Sequence, residues 1–413
     1  MEKESFEHST QTSRTATSSN RSTTPYSRFL YAIATEATLS QYKRHLKEFL
    51  QFVDLLPPQE KNSTNLMEQA SLELYKKSKE DITWFNDSLI SYILYQKSRI
   101  LKKEISGSTL RNMYKPVKLF CDMNDILLNW RVITRGIPVG KRSANDRTPT
   151  LDEIHRLLEH SDVRMKPIVL VMVSSGIRLG AWAFLKWKHI TPVENNGIII
   201  AAKVIVYAEE PDQYFTFITP EAYNALKDWM EFRSSYGEVI TGSSWLMRDI
   251  WRTTSIPYGT RKGRAKFPKK LSHVAIRGMI NRALFKQNIR ASLLQKGEKH
   301  EFKAVHGFRK YFKTVCEQGM KPANVELLIG HDIGISTSYY KPTESQLLED
   351  YLKVVNSLTI DKAFKLQEKL DILEKEKDEF QKFTIDKIKS LESMFEEAQG
   401  DRKKFSELFD SKS

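Results

Sequence analysis

One stretch of this chain, GIIIAAKVIVYAEEPDQYFTFITPEA (residues 197–222), carries two runs of β-branched and aromatic residues around a Glu-Pro-Asp turn. Such residues suit a pleated, half-buried surface and the turn marks a reversal, so the stretch predicts a β-hairpin. A lone hairpin is marginal in water and needs cover from other elements. Elsewhere the pattern is helical. In TLSQYKRHLKEFLQFVDLL (38–56) apolar residues recur at steps of three and four: Leu39, Tyr42, Leu46, Phe49, Leu50 and Val53. Thr38 or Ser40 can cap its start, and Pro57 and Pro58 lie beyond its end. A second helix fits ITWFNDSLISYILYQKSRIL (82–101), and a third fits SGSTLRNMYKPVKLFCDMNDI (106–126), capped by Ser106 or Ser108 and open to a kink at Pro116. The expected fold class is mainly α with a small β-hairpin or sheet.

The 413 residues suffice for two or three domains. Residues 1–25 are rich in Ser and Thr with little to bury and read as a disordered tail. An all-helical domain follows over 26–137, then a basic Gly- and Pro-containing linker over 138–148 that contains Lys141 and Arg142. A second domain, 149–358, opens on a capping box formed by Thr150 and Glu153. The last segment, 359–413, is a charged helical tail. Its Leu366, Leu370, Leu373 and Phe380 are spaced like a coiled coil, interrupted by polar Lys377 and Thr384.

A formal net charge of +14 fits a polyanionic partner, either nucleic acid or an acidic membrane surface. Only Cys121 and Cys316 are present, which excludes a disulfide framework and suggests a reducing, cytoplasmic location. No apolar run approaches the length of a membrane span; KPIVLVMVSSGIRLG (166–180) reads as a buried helix. The start of the sequence lacks an apolar signal core.

Four short pieces stand out: SSGIRLGAW with Arg178, HGFRKYF with His306 and Arg309, LIGHD with His331, and SYYKP with Tyr339 and Tyr340. Singly, each is ordinary, since tyrosines mostly pack and a Gly-His pair can simply end a helix. Together they describe a chemistry. Two guanidinium forks can hold the non-bridging oxygens of a phosphate. His306 and Arg309, three apart on a helix, project from one face. His331 adds a donor, and a tyrosine oxygen can attack phosphorus while the arginines supply the charge a metal would otherwise provide. Donors aimed at the equatorial oxygens stabilise the transition state by roughly 3–4 kcal/mol each.

The order and spacing of these pieces resemble the tyrosine recombinase (phage integrase) family, with wording closest to its archaeal integrase-like members. LIGHDIGISTSYY is similar to the family's LGH-xx-I-x-T-xx-Y box, and SSGIRLGAWAFLKWKHI to its first-arginine box. The resemblance is good over about 148–358; before that it is one of helical pattern only. It implies a two-domain DNA clamp, with a helical core-binding domain and a mixed α+β catalytic domain. It also implies cutting and rejoining of DNA through a 3′-phosphotyrosyl intermediate, without metal, cofactor or ATP. Arg178 and Arg309 would clamp the phosphate, and His306 would act as general acid/base or phosphate partner. His331 would position and stabilise. Tyr340, nine residues after His331, would be the nucleophile, while Tyr339 would point about 100° away on a helix and pack.

The sequence departs from the family pattern at two places. The hairpin turn AEEPDQ lacks the family's lysine, leaving Lys203 just upstream as the candidate or as a solvated strand-end residue. Ala183 or its neighbour Phe184 stands where an acidic residue often follows the first arginine. The basic run 259–270, with Arg261, Lys262, Arg264, Lys266, Lys269 and Lys270, is a candidate contact to DNA phosphates, as are Lys141 and Arg142. The expected partners are double-stranded DNA and further copies of the chain, as a tetramer on DNA, with no membrane. The segment SQLLEDYLKVVNSL (345–358) resembles the part of the family that packs on a neighbouring protomer. A type IB topoisomerase-like nicking-closing enzyme and a catalytically decayed DNA-binding accessory protein stay open as alternatives.

Overall fold

A computed structural model of the chain describes residues 23–58, 63–138, 146–159, 162–250, 268–291, 300–334 and 339–410. Backbone contacts divide it into two units, whose described residues fall within 23–138 and 146–410. It is mainly α-helical with one small antiparallel sheet.

The first unit contains six described helices: Pro25–Tyr31, Glu36–Phe52, Thr64–Glu80, Ile82–Leu101, Gly107–Met123 and Trp130–Arg135. Short polar side chains fix most of their starts. Thr24, Thr35, Asp81, Ser106 and Asn129 each accept a backbone N–H of the first turn. The helix expected to begin at Thr38 or Ser40 instead starts at Glu36, with Thr35 as cap and Thr38 donating its N–H to the Thr35 hydroxyl. It ends at Phe52, before the prolines, where Asp54 adopts a φ of 59° and the Leu55 N–H reaches back to the Leu50 carbonyl. Pro116 lies inside the helix Gly107–Met123. The core is aromatic: Phe49 meets Tyr92 edge-on with ring centres 5.2 Å apart, and Phe85, Phe29 and Phe120 are buried around them.

In the second unit the Thr150–Glu153 capping box opens the helix Leu151–Glu159. Next comes Met165–Ser175, in which every residue except Lys166 is buried. The helices Pro220–Ser235, His273–Lys286 and Ala304–Cys316 pack around it. The three strands β1 (Ile190–Asn195), β2 (Ile198–Val206) and β3 (Tyr214–Ile218) form a sheet in sequence order. β2 and β3 are the expected hairpin, with Lys203 opposite Phe217. β1 was not expected; Pro192 sits on this edge strand, and Asn196 and Gly197, both at positive φ, turn the chain into β2.

Arg233 and Arg248, both essentially inaccessible, share the buried carboxylate of Glu238. Burial would raise the Glu238 pKa, but the hydrogen bonds and charge of the two arginines hold it below the usual value. The segment 345–358 folds into this unit's own core: Leu347, Tyr351, Val355 and Leu358 are buried, and the Tyr351 hydroxyl donates to the Ser174 carbonyl at 2.8 Å. Glu221 accepts the N–H groups of Ile360 and Asp361 at 2.7 and 3.0 Å, just before the long helix Lys362–Asp410. On that helix Leu366, Leu370, Leu373 and Phe380 are exposed.

Candidate active site

The left-handed glycine that ends Met165–Ser175 is where the site begins. Gly176 takes φ 62°, and a Cβ there would stand 2.6 Å from the Phe312 ring. Its carbonyl is thereby aimed at the helix Ala304–Cys316 and accepts a 2.6 Å hydrogen bond from Arg309 Nη1. Two residues further on, Arg178 precedes a 3₁₀ turn, Leu179–Ala183, and sends both Nη atoms to the Gly330 carbonyl at 3.2 and 3.1 Å.

Arg309 is buried and also donates from Nη2 to the Ile329 carbonyl at 2.7 Å. The two guanidiniums are thus fixed by three backbone carbonyls, from Gly176, Ile329 and Gly330. Among the described residues neither pairs with a carboxylate, so both keep their positive charge for an external anion. Burial, then the charge of Arg178, lowers the Arg309 pKa from its ordinary value. Arg178 is thus supported by the Gly330 carbonyl and not by the side chains of Ala183 or Phe184.

Gly330 has to be glycine. It adopts φ 66°, and a Cβ on it would stand 2.5 Å from Cε1 of Tyr214. The next residue, His331, lies between two partners: its Nδ1 faces the Glu326 carboxylate, and its Nε2 faces Arg309 Nη2 at 2.9 Å. A guanidinium only donates, so Nε2 must accept and the proton sits on Nδ1, facing Glu326. In this arrangement His331 orients Arg309, and its Nε2 donates to nothing. Glu326 also holds Lys313; burial would raise its pKa, but the hydrogen bonds from Lys313 and His331 lower it.

His306 lies one helical turn before Arg309, at an exposed position. Desolvation, then the charges of Lys303 and Lys310, lowers its pKa, while Asp146 pulls weakly the other way. Asp146 is itself held by Lys310 at 2.6 Å.

The two tyrosines separate. Tyr339 is 87% exposed, whereas Tyr340 is half-buried and donates its hydroxyl to Asn324 Oδ1 at 2.7 Å. Asn324 is buried and tied to Asp350 at 2.8 Å. Tyr340 lines a cavity of about 380 Å³ with Tyr214, Phe215, Leu327 and Leu347. The structure therefore brings Arg178, Arg309 and His331 together. It sets His306 beside them and ties Tyr340 to Asn324, not to the arginines. Lys203 pairs with the Glu344 carboxylate, with its ammonium 5.0 Å from the centre of the Phe215 ring.

Of the candidate DNA contacts, Lys141, Arg142, Arg261, Lys262, Arg264 and Lys266 lie outside the described residues. Lys269 and Lys270 are exposed, and the Lys270 ammonium lies 5.2 Å from the Trp245 ring centre. Two residues that sequence reading passed over, Tyr207 and Tyr214, lie in the field of both arginines.

In structure the chain is similar to site-specific recombinases and integrases. XerA recombinase shares 20% identity over 79% of this chain and 96% of its own, with a TM-score of 0.34. The Tn1549 transposon integrase in complex with circular intermediate DNA shares 15% over 76% and 98%, with a TM-score of 0.40. A lambda integrase dimer bound to a COC′ core site shares 13% over 76% and 97%, with a TM-score of 0.41. No protein-family model matches the chain, and no curated protein does.

Proposed function

We propose that this protein is a tyrosine-type site-specific DNA recombinase that cuts and rejoins duplex DNA through a covalent 3′-phosphotyrosyl link at Tyr340. The observation that carries this reading is the pair of guanidiniums, Arg178 and Arg309, held by backbone carbonyls with no carboxylate among the described residues to neutralise them. Such a pair is preorganised for one phosphate, whose equatorial oxygens gain charge as the nucleophile adds. Tyr340 leaves Asn324, and its oxygen forms a bond to phosphorus as the bond to the 5′-oxygen breaks. His306, kept neutral by its surroundings, takes the tyrosine proton. His331 holds the Arg309 fork in plane. The phosphotyrosyl bond preserves the energy of the phosphodiester, so attack by another strand's 5′-hydroxyl reseals the DNA. Lys269 and Lys270 would contact the DNA backbone, together with the basic residues of 141–142 and 261–266, and four copies would assemble on paired sites.

The test uses a pool of nicked duplexes of randomised sequence, in which cleavage next to the nick releases a short fragment and traps the protein. Wild-type protein is expected to form an adduct that survives denaturing electrophoresis, and sequencing the trapped DNA reads out the site. Tyr340→Phe is expected to form none while still binding the recovered duplex. An adduct that persists in Tyr340→Phe and vanishes in Tyr339→Phe would move the nucleophile by one residue. No adduct from any sequence would end the recombinase reading. Strand exchange between two recovered duplexes, as opposed to relaxation of one, separates recombination from nicking and closing.

A further inference from the structure

The turn joining β2 to β3 has no lysine, but a phenol at its start lies against the turn that follows Arg178. Tyr207 directly follows β2 and takes a φ of 54°, a left-handed conformation that is uncommon and costly for an aromatic residue. Its ring meets Phe184 edge-on with centres 5.4 Å apart and lies 6.3 Å from Tyr214. Its hydroxyl is 3.4 Å from the point where a Cβ on Gly180 would stand, two residues past Arg178. The phenol oxygen is therefore at the arginine turn itself. Tyr207 is half-buried, and its hydroxyl makes no hydrogen bond among the described residues. Lys203 has its ammonium on Glu344.

Burial raises the Tyr207 pKa, and the charges of Arg178 and Arg309 act against that rise. The hydroxyl accordingly carries its proton at neutral pH, and two nearby cations favour the phenolate once the proton has gone. Tyr214, the hairpin's other phenol, has its hydroxyl buried and its ring beneath Gly330. Tyr207 is the more accessible of the two.

Building on the recombinase reading, we propose that Tyr207 is a catalytic residue, the general acid that protonates the departing 5′-oxygen. As the Tyr340 oxygen bonds to phosphorus, the P–O5′ pair moves onto the 5′-oxygen and takes the Tyr207 proton. The Tyr340 proton goes to His306. In resealing, the incoming 5′-hydroxyl returns its proton to the Tyr207 phenolate as its oxygen bonds to phosphorus, the bond to Tyr340 breaks, and His306 returns its proton to the Tyr340 oxygen, so the site is regenerated without a co-reactant.

The test compares two versions of the duplex recovered by trapping, one with the natural bridging 5′-oxygen and one with sulfur in its place. A thiolate leaves without protonation, so the sulfur duplex needs no general acid. Tyr207→Phe is expected to slow adduct formation on the oxygen duplex by about 10²–10⁴-fold and to match wild type on the sulfur duplex. Lys203→Met is expected to be affected equally, if at all, on both. Equal loss on both duplexes for Tyr207→Phe, an unchanged rate on the oxygen duplex, or sulfur rescue of Lys203→Met would each overturn the proposal. A wild type that forms no adduct on either duplex fails the recombinase reading itself. Rescue of Tyr207→Phe by sulfur also shows that the variant folds and that its nucleophile works.

Discussion

Gly330→Ala should damage the site in a way that can be calculated from two separate contributions. At φ 66° a Cβ carries a left-handed penalty of about 1–2 kcal/mol. The same Cβ would stand 2.5–2.7 Å from three atoms of the Tyr214 ring, an overpacking worth about 1–3 kcal/mol. The sum, about 2–5 kcal/mol, corresponds to a fall of about 4–20 °C in Tm for a unit of this size. Gly334 provides the control: it has φ 69° with nothing among the described residues within 4 Å of its would-be Cβ, so Gly334→Ala is expected to carry the backbone penalty alone. Removing the ring by Tyr214→Ala should bring the cost of Gly330→Ala down to that of Gly334→Ala. The cycle of single and double variants, read by denaturant titration, then gives a coupling of about 1–3 kcal/mol. Because the Gly330 carbonyl holds Arg178, adduct formation should fall in Gly330→Ala and not in Gly334→Ala. If Gly330→Ala proved no worse than Gly334→Ala in stability, the close packing of Tyr214 under the Arg178 anchor would be refuted.

Glu238→Gln leaves Arg233 and Arg248 buried with too little counter-charge and should cost about 3–5 kcal/mol in denaturant titration. The folded Glu238 pKa lies below the unfolded carboxyl value, so its contribution is complete above about pH 4.3 and is lost as pH falls through the folded value. The variant should therefore lose less stability than wild type on acidification. For cleavage, the lowered His306 pKa keeps the base form available below about pH 6.5, so the acid limb of the rate profile should fall under that value. Lys303→Ala and Lys310→Ala should each move that limb upward; an unmoved limb would mean that a different group accepts the proton.

Much of the fold could be read from periodicity, and the exceptions have physical causes. The helix 82–101 and the β2–β3 hairpin have strong apolar patterns and form as expected. The helix Thr64–Glu80 escaped notice because its buried face includes Ala70, Ser71 and Ser78, residues whose small side chains carry little hydrophobic signal. β1 was obscured by Pro192 and Glu194, which are tolerable only because the strand is at an edge. The arginines, histidines and tyrosines of the site were visible as motifs. Their partners were not, because Gly176, Asn324, Glu326 and Tyr207 become neighbours of those groups only through the tertiary fold. Lys203 illustrates the same limit: its position on a strand said nothing of Glu344, 141 residues away in sequence.

Glu221 gives the far end of the chain a mechanical character. Its carboxylate grips two successive N–H groups at Ile360 and Asp361, immediately before a 49-residue helix. At 1.5 Å per residue that helix is ~73 Å long. Anchored at one end by a buried group, it is a lever arm: a rotation of about 10° at Glu221 would carry its tip through about 13 Å. Displacements too small to disturb the packing at the root of the helix would thus be large at its tip.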